Sequence, residues 1–122
     1  DSFRGAPIEL KGAYVKCISD GKYINKGKMA QGGTMRMGKT AVLEIAGNVV
    51  LVTSIPTQPY DLNVFPSHGV TPTDMRLLVV KSSIHYRATF GTVARAMLPV
   101  PVPGYIDPRP QTFPFRTWKG NI

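Results

Sequence analysis

The densest chemistry in this chain lies in Val80-Lys81-Ser82-Ser83-Ile84-His85-Tyr86-Arg87-Ala88. An apolar run, Leu77-Leu78-Val79-Val80, ends there. Apolar residues then recur at Tyr86, Phe90, Val93 and Met97, the spacing of one face of an α-helix. A strand-to-helix junction presents backbone N–H groups without intrahelical partners, and these favour an anion or a developing oxyanion. Lys81, Ser82, Ser83 and Arg87 would hold such a substrate group, and His85 would donate a hydrogen bond to the reacting oxygen. The plainer reading is a serine-capped helix with solvated charges in its first turn. Cations at a helix N-terminus oppose its dipole, so they ask for a reason, and function supplies one.

Other constellations are weaker. The chain has two histidines, His68 and His85, and its seven carboxylates are scattered singly. No His-Glu-x-x-His or paired-cysteine spacing occurs, so no metal ligand is assigned and no zinc site is expected in this chain. Asp61 and His68 could meet on one helix face, but a cap and a loop histidine explain them as well. Cys17, next to Val15 and Ile18 in a strand pattern, reads as core and not as a nucleophile. Gly33-x4-Gly38-Lys39-Thr40 satisfies the phosphate-loop spacing, yet the β-rich Ala41-Val42-Leu43-Glu44-Ile45 follows where that loop needs a helix.

The elements that must position these residues fit one domain over 1–122. Hydrophobic residues make up 43% of the 122, enough for a core without disulfides or metal. One cysteine fits a reducing compartment, and the expected location is cytoplasmic. No apolar run approaches the roughly 20 residues of a membrane helix. The chain opens at Asp1 without a methionine or a signal core, so it is expected to start downstream of a natural beginning. A net charge of +8 raises nucleic-acid binding, but the basic residues run from Arg4 to Lys119 with no recognition motif among them. A solvated basic surface, or a positive face turned towards an acidic neighbouring domain, accounts for them better.

Along the chain, Pro7 to Ile18 reads as a long strand region with a bulge at Gly12, and Asp20-Gly21 as a tight hairpin turn before Tyr23-Ile24. Ala41 to Ile45 and Val49 to Ser54 form the clearest hairpin, joined through Ala46-Gly47-Asn48. Val49 to Val52 is apolar on both faces, as is Leu77 to Val80, and both are expected inside a sheet. Asp61 to His68 suits one or two helical turns stopped by Gly69, and Thr71-Pro72-Thr73-Asp74 a short helix start. The principal helix is placed at Ser83–Met97, with Gly91 closely packed. After it an extended proline-rich tail runs from Pro99. The fold class is α+β: mainly β, with hairpins and a mixed sheet, plus that one helix.

Val80-Lys81-Ser82-x-x-His85-Tyr86-Arg87-Ala88-x-Phe90 resembles the corresponding stretch of MlrC-type (microcystinase C-like) metallopeptidases. Ile18-Ser19-Asp20-Gly21-Lys22-Tyr23, Met37-Gly38-Lys39-Thr40-Ala41-Val42-Leu43, Val52-Thr53-Ser54 with Gln58 and Asp61, and Pro114-Phe115-Arg116 follow in the family's order. The resemblance runs from about Gly5 and corresponds to the family's carboxy-terminal part. It implies a bacterial zinc-dependent peptidase or amidohydrolase whose metal ligands lie in a larger amino-terminal region. That region would be this chain's partner, the zinc would belong to it, and this chain alone would be inactive. The alternative is a structural or oligomerisation module whose basic surface meets another domain or an anionic ligand, with a second copy as partner. Met29, Met35 and Met37 look suited to such an interface.

Overall fold

The computed structural model describes residues 6–82 and 84–100. The chain divides into a main unit, Ala6–Met97, and a second unit formed by Asp1–Gly5 and Leu98–Ile122. Of the second unit only 98–100 are described, and they carry no regular structure. The proline-rich tail from 101 onward, and Ser83, lie outside the described residues.

The main unit is built from two antiparallel sheets. Strands β1 (Tyr14–Ser19), β4 (Thr40–Ile45) and β5 (Asn48–Thr53) form one in the order β1-β4-β5, and β2 (Lys22–Ile24) with β3 (Thr34–Arg36) forms the other. Among the described residues no parallel pair occurs, so the expected mixed sheet is corrected. The Asp20-Gly21 turn does not close a β1–β2 hairpin either. The β2–β3 hairpin is spliced between β1 and β4, and both chains cross from one sheet to the other side by side. At the crossing Met37 N–H donates to Gly21 O at 3.0 Å, between the Ser19–Thr40 pair and the Lys22–Arg36 pair. Gly21 and Gly38 both take positive φ there (66° and 67°), and a Cβ on Gly21 would strike Gly38 O and Thr40 Oγ1. Glycine is needed at the joint on both counts.

The β4–β5 hairpin forms as expected. Ala46 (φ 47°) and Gly47 (φ 75°) make a two-residue turn of the primed kind, which matches strand twist. However, β4 is the central strand, and β5 is an edge among the described residues. Strand β1 is shorter than expected, and its bulge falls between Val15 and Cys17, not at Gly12. That extra residue, Lys16, puts Val15 and Cys17 on opposite faces although they are two apart.

Directly paired residues share a face. Cys17, Val42 and Leu51 point to the core side, where Leu51 packs against the buried cluster of Tyr23, Met37 and Val64. Cys17 itself, on an edge strand, is exposed, so its placement in the core is corrected. The opposite face carries Val15, Ile18, Ala41, Leu43, Ile45, Val50 and Val52, with Asn48 at its hairpin end, and none of them is buried.

After β5 the chain makes three short 3-10 helices, Leu62–Val64, Pro66–His68 and Pro72–Asp74, with Gly69 closing the second at φ 72°. Leu77 to Val80 forms no strand. Leu77 is 75% and Val79 82% exposed, and the buried strand placed there is not observed. The helix is also reduced. Only Arg87–Phe90 (α1) is regular α-helix, although bonds of i to i+3 and i to i+4 type run from Ile84 O to Ala94 N. Phe90 is buried and meets Phe65 edge-on at 6.1 Å, whereas Val93 and Met97 are exposed, so the stripe delivers one anchor. Gly91 is close to its own chain: a Cβ there would lie 2.7 Å from Arg87 O.

Candidate functional site

A cleft of about 550 Å³ opens where three elements converge. Lys26, Gly27 and Lys28 of the β2–β3 connection form one side. Asp61, Leu62, Asn63 and Pro66 of the 3-10 segment form the floor, and Ala88, Thr89 and Thr92 of the α1 region form the other side.

Asp61 holds this arrangement together. Its side chain is fully buried, at 1% exposure. Oδ1 accepts from Asn63 N–H at 2.8 Å and so caps the 3-10 helix. Oδ2 accepts from Lys26 N–H at 2.9 Å and Gly27 N–H at 2.7 Å, tying down the loop. Asn63 Nδ2 donates to Ile24 O at 2.7 Å, and Thr89 Oγ1 donates to Tyr60 O at 2.6 Å, which brings the third element in. Gly27 has no room for a side chain: a Cβ would strike the Thr89 methyl and lie 3.1 Å from Asp61 Oδ2.

The chemistry open to this cleft is binding. The Asp61 carboxylate accepts from three backbone donors, which fix its place in the floor. The Thr89 and Thr92 hydroxyls donate to backbone carbonyls. Lys26 and Lys28 are exposed at the rim, and the ion pairs among the described residues, Lys11–Glu9, Lys16–Glu44 and Lys22–Asp20, all lie elsewhere. In the last of these the Lys22 ammonium, with its N–H, lowers the Asp20 pKa.

Among the described residues no three of His, Cys, Asp and Glu come together. His68 is buried, with Nδ1 2.6 Å from Val64 O and Nε2 without a partner, and its ring meets Tyr23 edge-on. Asp61 is thus a cap, and His68 a core histidine. The phosphate-loop spacing also dissolves: Thr40 opens a strand, and a Cβ at Gly38 would strike Ser54 Oγ. Nor do the methionines form a patch. Met37 is buried, Met35 accepts the Tyr60 hydroxyl at 3.1 Å, and Met29 is exposed. Among the described residues no helix is long and apolar enough to cross a membrane.

Lys81, His85 and Arg87 are exposed, and none of them lines the cleft. Ser82 is half-buried and accepts from Gln58 Nε2 at 3.0 Å. The Arg87 guanidinium lies over the Tyr86 ring, 5.4 Å from its centre, and the N-cap of α1 is Tyr86 without a side-chain bond. The described helix thus has a tyrosine, not Ser82, at its N-cap, and Ser83 lies outside the described residues. The segment's next turn, Ala88 to Thr92, is what reaches the cleft. Sequence reasoning did not pick out Gly27, Asn63 or Thr89. Their signal is pairwise, a small residue against a threonine methyl, and no spacing rule exposes it.

Known proteins are similar to this chain. Microcystinase C of Sphingomonas sp is 29% identical over 94 residues, which make up 77% of this chain and 18% of that protein. The crystal structure of a protein from Mesorhizobium sp. BNC1, classed by inference as a metallopeptidase, superposes with a TM-score of 0.75 at 26% identity. It covers 86% of this chain and 21% of that one. The chain thus spans about a fifth of the length of these relatives. Residues 1–117 match the family described as MlrC C-terminus. The chain belongs to that family.

Proposed function

We propose that this chain serves as the carboxy-terminal part of a bacterial, cytoplasmic, zinc-dependent peptidase or amidohydrolase of MlrC type. In this reading its Lys81–Arg87 segment helps to form a substrate cleft together with the amino-terminal region, apart from the cleft at Asp61, and the chain is not catalytic alone. The zinc and its ligands belong to the amino-terminal region of the longer protein. Lys81, Ser82, Ser83 and Arg87 hold a substrate anion, and His85 donates to the reacting oxygen. The observation that carries the reading is the family match over 1–117 in a chain that is 18% to 21% of its relatives' length. The exposure of Lys81, His85 and Arg87 supports it, since side chains that meet another region are uncovered in this unit.

The test is His85→Ala in the full-length gene product. A loss of about a hundredfold in kcat, with Tm and zinc content unchanged, is the size expected for one lost transition-state donor. Unchanged kcat with lowered Tm would make the segment structural and favour the oligomerisation module.

A further inference from the structure

Sheet β1-β4-β5 has its faces the wrong way round for a free-standing unit. The core side carries Ser19, Thr40, Thr53 and Glu44 among its apolar residues, while the open side has no charged residue at all. An antiparallel sheet with one solvated face ordinarily alternates apolar-in and polar-out. Here Val15 is 48%, Ile18 66% and Val52 44% exposed, and Leu43 on the central strand is only half-buried. A contiguous apolar face of this kind marks an interaction surface.

The edge of β5 points the same way. In a two-residue hairpin the residues flanking the turn exchange hydrogen bonds, and bonded and non-bonded pairs then alternate. Ile45–Asn48 is therefore a bonded pair, followed by Leu43–Val50 and Ala41–Val52. The backbone N–H and C=O groups of Val49, Leu51 and Thr53 point away from β4, and among the described residues they have no backbone partner. Strand β1, at the other edge, is broken by its bulge and carries Lys16, devices that blunt an edge. The β5 sequence Asn-Val-Val-Leu-Val-Thr has neither charge nor proline.

We propose that the open face and the outer edge of β5 form one docking surface, and that its occupant is an apolar, uncharged segment from the rest of a longer MlrC-type polypeptide. This rests on the reading of the chain as one part of a larger hydrolase. The relatives' length argues for this occupant: about four-fifths of each lies outside the matched segment, more than enough chain to cover a three-stranded sheet. The absence of charge on the face sets the chemistry, because a charged segment would be desolvated there without a partner.

Hydrogen exchange tests it, comparing the full-length gene product with the 122-residue chain. In the 122-residue chain the amides of Val49, Leu51 and Thr53 exchange freely. In the full-length product they slow at least about tenfold. Val50→Lys with Val52→Lys restores fast exchange in the long product while the amides of Val42 and Leu43 stay protected. Val49→Pro removes one outward donor without touching a bond to β4, and gives the same result should the lysines disturb folding. Fast exchange in both forms overturns the proposal. So does slow exchange in both, which assigns the cover to 98–122 or, if concentration-dependent, to a second copy. A gene product made of these 122 residues alone overturns it as well. Zinc-dependent hydrolysis with β5 still open would sink the docking and leave the functional reading. Protected β5 with no peptide cleaved would do the reverse.

Discussion

Gly27 N–H donates to Asp61 Oδ2 at 2.7 Å, across thirty-four residues of chain. That bond and its two companions to Lys26 and Asn63 make one carboxylate the joint between a loop, a 3-10 helix and, through the adjoining Thr89, the α1 segment. Three consequences are measurable.

Asp61→Ala leaves those three donors without their acceptor. Hydrogen bonds to a charged group contribute about 1.5–3 kcal/mol each and are not additive at one site, so a loss of about 3 kcal/mol is expected. Urea unfolding measures it. Asp61→Asn, which keeps one carbonyl oxygen, should recover part. A loss below about 1 kcal/mol would show that the loop is held by something else.

Gly27→Ala forces a Cβ against the Thr89 methyl and should cost about 1–3 kcal/mol. Thr89→Ser removes that methyl and keeps the hydroxyl that donates to Tyr60 O. The double variant should therefore be more stable than the sum of the two single losses, by about 1 kcal/mol. Strict additivity would mean that the two side chains do not share the space.

Tyr23 has a pKa pushed up to about 12 from the ordinary 10.0, first by burial and then by Tyr60 and Asp61. Between those values the unfolded chain gives up a proton that the folded chain keeps. Stability is whole below pH 10 and falls as pH rises towards 12. Tyr23→Phe should flatten that fall. Because the hydroxyl is buried without a partner, the same variant should leave stability at neutral pH within about 1 kcal/mol or raise it. A chain whose alkaline unfolding is unchanged by Tyr23→Phe would place the titrating group elsewhere.

What could be read in the sequence was what local chemistry decides. Ala46-Gly47 between two apolar runs encodes the β4–β5 hairpin, and Asp61, Gly69 and Pro72 punctuate the 3-10 helices where expected. Pairing between distant strands was not readable. Nothing near Asp20-Gly21 tells that β1 meets β4 and not β2, and the single inserted residue Lys16 reverses which neighbours of Cys17 share its face. Apolar runs misled for a physical reason. Leu77 to Val80 has a composition suited to burial, and the unit Ala6–Met97 leaves Leu77 and Val79 open. Of the site, the Lys81–Arg87 segment stood out by charge, whereas the cleft is made by Asp61, Gly27 and Thr89, whose meeting is tertiary.

The paired crossing at Gly21 and Gly38 also bears on the order of folding. Strands β1 to β2 and β3 to β4 form a single bent ribbon, closed at its tip where Asn25 exchanges backbone bonds with Gly32 and Gly33. Once that tip forms, each further pair from Ile24–Thr34 to Tyr14–Glu44 lies one step beyond a pair already made. The ladder with the greatest sequence separation then grows by zipping, without a fresh loop closure. Substitutions at the tip should slow refolding, whereas those at the Tyr14 end should mainly hasten unfolding.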